Sequence, residues 1–267
     1  MLKTLHEHWP EYAIEGCLLG AFMISAASFT SLLEYPASPL VHAIPDPFVR
    51  RMLIGIAMGA TAIALIFSPW GKRSGAHMNP AVTLTFLRLG KVRPIDALFY
   101  IAAQFVGAVA GLAFFGVFAR DFLTHPSVHF VATLPGPGGV WVAFAAEFLI
   151  AFVLMSTVLV VSNTPHLARW TGIFAGGLVA TYITFEAPHS GMSMNPARTF
   201  GSALVGSLWT GLWVYFIAPV LGMQLAAAIH RVSGRAVYCA KLHHHNGARC
   251  IFRCAFGDLV AREARRP

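Results

Sequence analysis

The chain has 267 residues, of which 57% are apolar and only 11% are charged, with a mean hydropathy of +0.65. A soluble domain carries about 25% charged residues, so a globule surrounded by water is excluded and an integral membrane protein is expected. The net charge is +8, but the excess falls where membrane topology demands it, so it makes no case for a nucleic-acid partner.

Residues 1–10 are polar, and the first span is expected at 11–33, too long and wrongly flanked for a secretory leader. It carries Glu15, and an ionisable group in a span faces the bundle interior. A loop holding Pro36, Pro39, Pro45 and Pro47 leads to a second span at 48–67. Ser68 to Arg73 then runs into the stretch Ser-Gly-Ala-His-Met-Asn-Pro-Ala-Val at 74–82, followed by a short helix that stops near Gly90. The third span, 94–118, carries Gln104, and residues 119–139 join the two halves. The fourth span, 140–162, carries Glu147, the counterpart of Glu15. A fifth span is expected at 169–186, then the stretch Ser-Gly-Met-Ser-Met-Asn-Pro-Ala-Arg at 190–198 with its own short helix, and a sixth span at 208–230. The expected division is a first half at 1–125, a second at 126–231 and a basic tail at 232–267.

The two stretches match at six of nine positions and lie 116 residues apart. Each has the chemistry of a helix start. Asn79 and Asn195 are good N-caps, because a side-chain oxygen holds a free backbone N–H. Pro80 and Pro196 then fall at the first helical position, where the missing N–H costs nothing, and Ala81 and Ala197 follow. The preceding Ser-Gly permits irregular backbone.

With the N-terminus inside, Lys3, Lys72, Arg73, Arg88, Lys91, Arg93, Arg169, Arg231 and the seven basic residues of the tail face the cytoplasm, fifteen of the nineteen Lys and Arg. Arg50, Arg51 and Arg120 fall outside. Three spans is an odd number, so the second half sits upside-down relative to the first, an inverted repeat. The short helices then enter from opposite faces, and neither can cross. Irregular backbone at membrane depth is tolerated only inside protein or along a water-filled cavity, so two half-helices meeting N-terminus to N-terminus imply a pore. The pairs Gly16/Gly20, Gly55/Gly59, Gly107/Gly111 and Gly172/Gly176 argue for close helix crossings.

Over about residues 10–232 the chain resembles the aquaporin and glycerol-facilitator family, the major intrinsic proteins. The likeness rests on both Asn-Pro-Ala boxes with their Ser-Gly, on Arg198 directly after the second box, and on Glu15, Glu147 and Gln104. It implies an all-α membrane fold of six spans and two re-entrant half-helices. It also implies a pore in each subunit of a homotetramer. Water and small neutral solutes are the expected permeants, and the lipid bilayer the other partner. Asn79 and Asn195 would donate to a passing oxygen. Carbonyls of Gly75, Ala76, His77, Gly191, Met192 and Ser193 would accept from it, and Glu15 and Glu147 would buttress the loops through backbone N–H groups. The positive ends of both half-helices meet at the boxes and disfavour cations and hydronium.

The resemblance places a selectivity filter around Arg198, with Met192 and Ile183 beside it and Gly59 as the span-two member. A shift of one residue would substitute Met58 for Gly59 or Tyr182 for Ile183. Strict water channels place a histidine at the span-five position, so the loss of it favours a wider range of solutes. Thr199, Ala203 and Tyr215-Phe216 look like the water-selective branch. Water is therefore the expected permeant, with glycerol, ammonia or an uncharged metalloid acid as the alternative.

Cys239, His243, His244, His245, Cys250 and Cys254 crowd the tail and could bind zinc, although Cys-x3-Cys is not the common zinc spacing. The competing expectation is a basic tail lying on anionic lipid. No other cofactor is expected. Neither His-Glu-x-x-His nor Gly-x-Ser-x-Gly occurs, which argues against an intramembrane enzyme. A sensing protein whose tail is the active part is the remaining alternative. Compact loops suggest a bacterial inner membrane with both termini cytoplasmic.

Overall fold

The computed structural model describes residues 2–244, 249–257 and 260. In chain order the helices are α1 (Leu2–Glu34), α2 (Pro39–Ala43), α3 (Pro47–Phe67), α4 (Pro69–Ser74), α5 (Pro80–Arg88), α6 (Pro94–Thr124), α7 (Gly139–Ser162), α8 (Thr171–Phe185), α9 (Ala187–Ser190), α10 (Pro196–Gly206) and α11 (Leu212–Val232). Proline stands at the start of α3, α4, α5 and α10, each behind a residue whose side chain accepts from the free N–H groups: Asp46, Ser68, Asn79 and Asn195.

Among the described residues five helices, α1, α3, α6, α7 and α11, are long and apolar enough to cross a membrane. The fifth expected span is less regular. It is built from a 3₁₀ turn at Ala168–Trp170, then α8 with 15 residues, then α9. The polar first ten residues are also helical, because α1 begins at Leu2 and passes through Pro10. Its early turns are held by buried Asp96 of α6, which accepts from the Tyr12 hydroxyl at 2.6 Å and lies 2.7 Å from His8 Nδ1. Glu11 pairs with Arg73 of α4 at 2.9 Å. The connection expected at 119–139 is shorter than the sequence suggests, since α6 runs on to Thr124 past a non-helical Ala119.

The packing follows the repeat. Helix α1 lies along α6, α7 along α11, and α3 against α8. With α1, α3 and α6 matched to α7, α8 and α11, the first two pairs are equivalent and the third crosses between halves. The half-helices are exchanged as well: α10 packs on α6 of the first half, and α5 on α11 of the second. Neither half is therefore complete alone.

Glycine sets the closest crossings. A Cβ on Gly59 would lie 2.5 Å from the Gly176 carbonyl oxygen, and one on Gly176 would lie 2.6 Å from the Gly59 carbonyl oxygen. Gly107 and Gly111 face Gly16 and Gly20 in the same way. Neighbouring Gly177 has nothing within 4 Å of its Cβ position. Gly59→Val is therefore expected to lose about 3 kcal/mol or more through overpacking, seen as a lower Tm in detergent, while Gly177→Val leaves Tm within error. Equal losses would refute the crossing.

The outward faces are apolar. Val117 and Phe118 of α6 are each 76% exposed and Trp141 of α7 is 73% exposed. A face of that extent suits lipid and not water, so the chain is an integral membrane protein.

Candidate functional site

The two Asn-Pro-Ala boxes meet at the centre of the bundle. Asn79 and Asn195 cap α5 and α10 from extended backbone, with φ of −158° and −146°. Asn79 Oδ1 accepts from Ala81 N at 2.8 Å, and Asn195 Oδ1 accepts from Ala197 N at 3.1 Å and Arg198 N at 3.2 Å. Pro80, Ala81, Pro196 and Ala197 are buried behind them. The amide nitrogens then cross over. Asn79 Nδ2 donates to the Met194 carbonyl at 2.6 Å, and Asn195 Nδ2 donates to the Met78 carbonyl at 2.7 Å. A primary amide has two N–H groups, so each asparagine clasps the opposite loop with one and keeps another for a solute.

Two buried glutamates hold the irregular loops in front of the caps. Glu15 accepts from Ser74 Oγ at 2.8 Å, His77 N at 3.0 Å, Met78 N at 2.7 Å and Gln104 Nε2 at 3.0 Å. Glu147 accepts from Ser190 Oγ, Ser193 N and Met194 N, each at 2.7 Å. Both carboxylates thus take up backbone donors that helix or sheet would otherwise satisfy. The loops bend by left-handed residues in matching order: Gly75, Ala76 and Met78 in one, Gly191, Met192 and Met194 in the other.

A second pair of residues does the same work and was not recognised from the sequence. Tyr100 of α6 donates its hydroxyl to the Ser74 carbonyl at 2.7 Å, and Tyr215 of α11 donates to the Ser190 carbonyl at 2.6 Å. The signal was present, since the two tyrosines lie 115 residues apart, close to the spacing of the boxes. A buried phenol in an apolar span needs a hydrogen-bond partner.

A cavity of about 490 Å³ runs past both boxes. Glu34, Pro47 and Arg51 line it towards one end, and Ile66 and Leu242 line it elsewhere. Arg51 is tied by Nε to the Thr184 carbonyl at 2.8 Å, and Glu34 pairs with Arg50 at 3.1 Å, so two of the three outer arginines that oppose the charge rule have local partners. The two loops and their caps line it with Ala76, His77, Asn79, Gly191, Met192, Ser193, Asn195 and Arg198. Its apolar lining comes from α1, α3, α7 and α8, with Phe22, Ile54, Met58, Val158, Val179 and Ile183 among the residues. Arg198 is half-buried and lines the cavity, and its buried Nη1 has no hydrogen-bond partner among the described residues.

Two expectations are corrected here. Gly59 does not line the cavity, because it is turned into the α3–α8 crossing; Met58, one helical step away, lines it instead. Of the two residues the sequence offers at the span-five position, Ile183 lines the cavity and Tyr182 does not. Gly75 does not line the cavity either, and its carbonyl accepts from the Leu242 N–H at 3.1 Å.

That contact belongs to the tail, whose described part is folded onto the bundle and not spread on lipid. Tyr238, Cys239, Ala240, Lys241, Leu242, Ile251 and Phe252 are all buried. His77 Nε2 donates to the Ala240 carbonyl at 2.7 Å, and the His77 ring stacks on Phe252 with centroids 5.3 Å apart. Both bonds fit a structural histidine. Lys241 Nζ donates to the carbonyls of Lys72 at 2.8 Å and Arg249 at 2.7 Å. Burial pulls its ammonium below the usual lysine range.

Of the tail residues singled out as metal ligands, Cys239, Cys250 and Cys254 come together, and the histidine that joins them is His244. His243 points elsewhere, its ring edge-on to Phe67 with centroids 4.7 Å apart. His245 lies outside the described residues.

The family model for major intrinsic proteins matches residues 12–230. Aquaporin NIP2-2 of Zea mays is 36% identical over 215 residues, covering 79% of this chain and 71% of that protein. Aquaporin NIP3-1 of Oryza sativa subsp. japonica is 36% identical over 237 residues, covering 86% and 70%. These relatives are from plants and lend no support to a bacterial membrane. Among solved structures, the aquaglyceroporin from Plasmodium falciparum matches with a TM-score of 0.69 at 18% identity, covering 84% of this chain and 95% of that one, which bears on the fold alone. The boxes, their capped half-helices and the match across 12–230 together show that the chain belongs to the major intrinsic protein family.

Proposed function

We propose that the chain is a passive transmembrane channel for water that excludes protons and ions. The observation that carries this is the reciprocal clasp of Asn79 and Asn195 at the meeting of two opposed half-helices, beside a cavity lined by both polar loop residues and apolar helix residues. Helix N-termini aimed at one point repel cations and turn a water molecule oxygen-inward, which breaks a proton wire. The spare N–H of each asparagine serves that oxygen, and the apolar lining keeps binding weak enough for release. Transport and not catalysis is the activity.

A second reading adds a small neutral solute such as glycerol, ammonia or an uncharged metalloid acid. Ile183 and Met58 favour it, since they add apolar side chains to the cavity that Arg198 lines. In this proposal Arg198, Met192, Ile183 and Met58 form the filter, both termini are cytoplasmic, and four copies assemble.

Stopped-flow light scattering on proteoliposomes tests both readings, first with an impermeant osmolyte and then with glycerol. Fast shrinkage followed by no glycerol re-swelling supports water alone. Re-swelling in glycerol supports the second reading. Shrinkage no faster than that of empty vesicles overturns the channel.

A further inference from the structure

The stretch between Gly234 and Phe256 has no helix or strand among its described residues, yet Tyr238, Cys239, Ala240, Lys241, Leu242, Ile251 and Phe252 within it are buried. Irregular chain of this kind loses backbone entropy on ordering without regular hydrogen bonds in return. Such segments are commonly fixed by a disulfide or a metal. The four cysteines of the chain are free, which removes the first device.

Cys239, His244, Cys250 and Cys254 offer one donor atom each, all within 4.8 Å of one another. Cys239 Sγ lies 3.6 Å from Cys250 Sγ, and Cys254 Sγ lies 3.2 Å from His244 Nε2. A tetrahedral zinc with Zn–S bonds of about 2.3 Å sets its S···S edges at about 3.8 Å, so the sulfurs already stand near the right separation. Three thiolates and one imidazole are a soft donor set of the kind that structural zinc takes. The His244 ring is oriented by stacking on Phe256, with centroids 4.0 Å apart. A cavity of about 230 Å³, lined by Cys239, Lys241, His243 and His244 among others, opens beside the cluster and gives an ion a way in.

Lys241 supplies an independent observation. It is 2% exposed, its ammonium bonds only to neutral carbonyls, and it forms no ion pair among the described residues. A buried cation needs a counter-charge. Three thiolates around one zinc carry a net charge of about −1, two residues along the chain from Lys241.

We infer that Cys239, His244, Cys250 and Cys254 form a structural zinc site that staples the C-terminal segment onto the bundle, with Leu242 held at the Gly75 carbonyl beside the cavity. The site does not depend on what the pore conducts.

The test uses the tag-free full-length chain in detergent, loaded with zinc, gel-filtered and assayed by elemental mass spectrometry. About one zinc per chain is expected, as for a structural site, near zero in Cys250→Ser/Cys254→Ser, and an unchanged amount in His243→Ala. Chelation of the wild type should speed hydrogen exchange at residues 236–244, with recovery on adding zinc back, which guards against misfolding of the variants. Zinc below about a tenth of an equivalent, against the single site expected, would overturn the inference. So would retention in the double variant, exchange unaltered by chelation, or a Cys239–Cys250 disulfide in the purified chain.

Discussion

Glu147→Ala is expected to remove water permeation and to destabilise the folded chain by about 2–6 kcal/mol, at about 1–3 kcal/mol for each buried N–H left without an acceptor. Glu147 is fully buried and is the acceptor for Ser193 N and Met194 N, with the Ser190 hydroxyl on the same carboxylate. The loop has no regular ladder to fall back on, and two of its residues are already left-handed without being glycine, Met192 and Met194. Losing its anchor also loosens Asn195, whose amide is positioned by the cap that follows. Glu147→Gln tests the cause. An amide keeps one acceptor oxygen but turns an NH2 towards a backbone N–H, so it should fall between the wild type and alanine in Tm and in flux. Glu15→Ala should behave alike, because Glu15 takes His77 N and Met78 N in the same manner. An alanine variant at Glu147 with wild-type Tm and flux would refute the buttress.

Arg198→Val is expected to raise cation and proton leak by up to about 10³-fold, since a unit charge about 4 Å from another at an effective dielectric of about 20 is opposed by about 4 kcal/mol. Arg198 reaches the cavity with a buried Nη1 that no described group engages, and it forms no ion pair among the described residues, so its guanidinium faces the cavity as a cation. The leak should stay below that of an open hole, because the two half-helix N-termini remain. Arg198→Lys keeps a charge but not the planar fork of donors, so it should hold back cations and change solute selection. Pyranine-loaded vesicles under a pH gradient report the proton leak, and planar-bilayer currents report the cations. Leak in Arg198→Val equal to wild type would remove Arg198 from the filter.

The membrane class, the approximate spans and the boxes were legible because their signals are local. Hydropathy is summed over about 20 neighbouring residues, and a cap followed by proline occupies two adjacent positions, as at Asn79-Pro80 and Asn195-Pro196. The inverted repeat followed from counting spans between two copies of one stretch. Glu15 and Glu147 stood out because charge is rare in a span. The loop-holding role of Tyr100 and Tyr215 did not, since tyrosine is unremarkable there until a hydroxyl partner is seen.

What the sequence could not decide was phase and long-range contact. Each residue turns a helix by about 100°, so a shift of one position exchanged Gly59 for Met58 at the cavity wall; the packing of α3 on α8 chose between them. The tail depended on folding more strongly still. Cys239, His244, Cys250 and Cys254 are irregularly spaced, and they converge only because the chain turns back on itself and seats Leu242 and Phe252 against the first loop. Local chemistry determined where the half-helices start and which residues cap them. Tertiary packing alone decided which side chains meet across 163 residues, as His77 and Ala240 do, because such contacts carry no periodic trace in the chain.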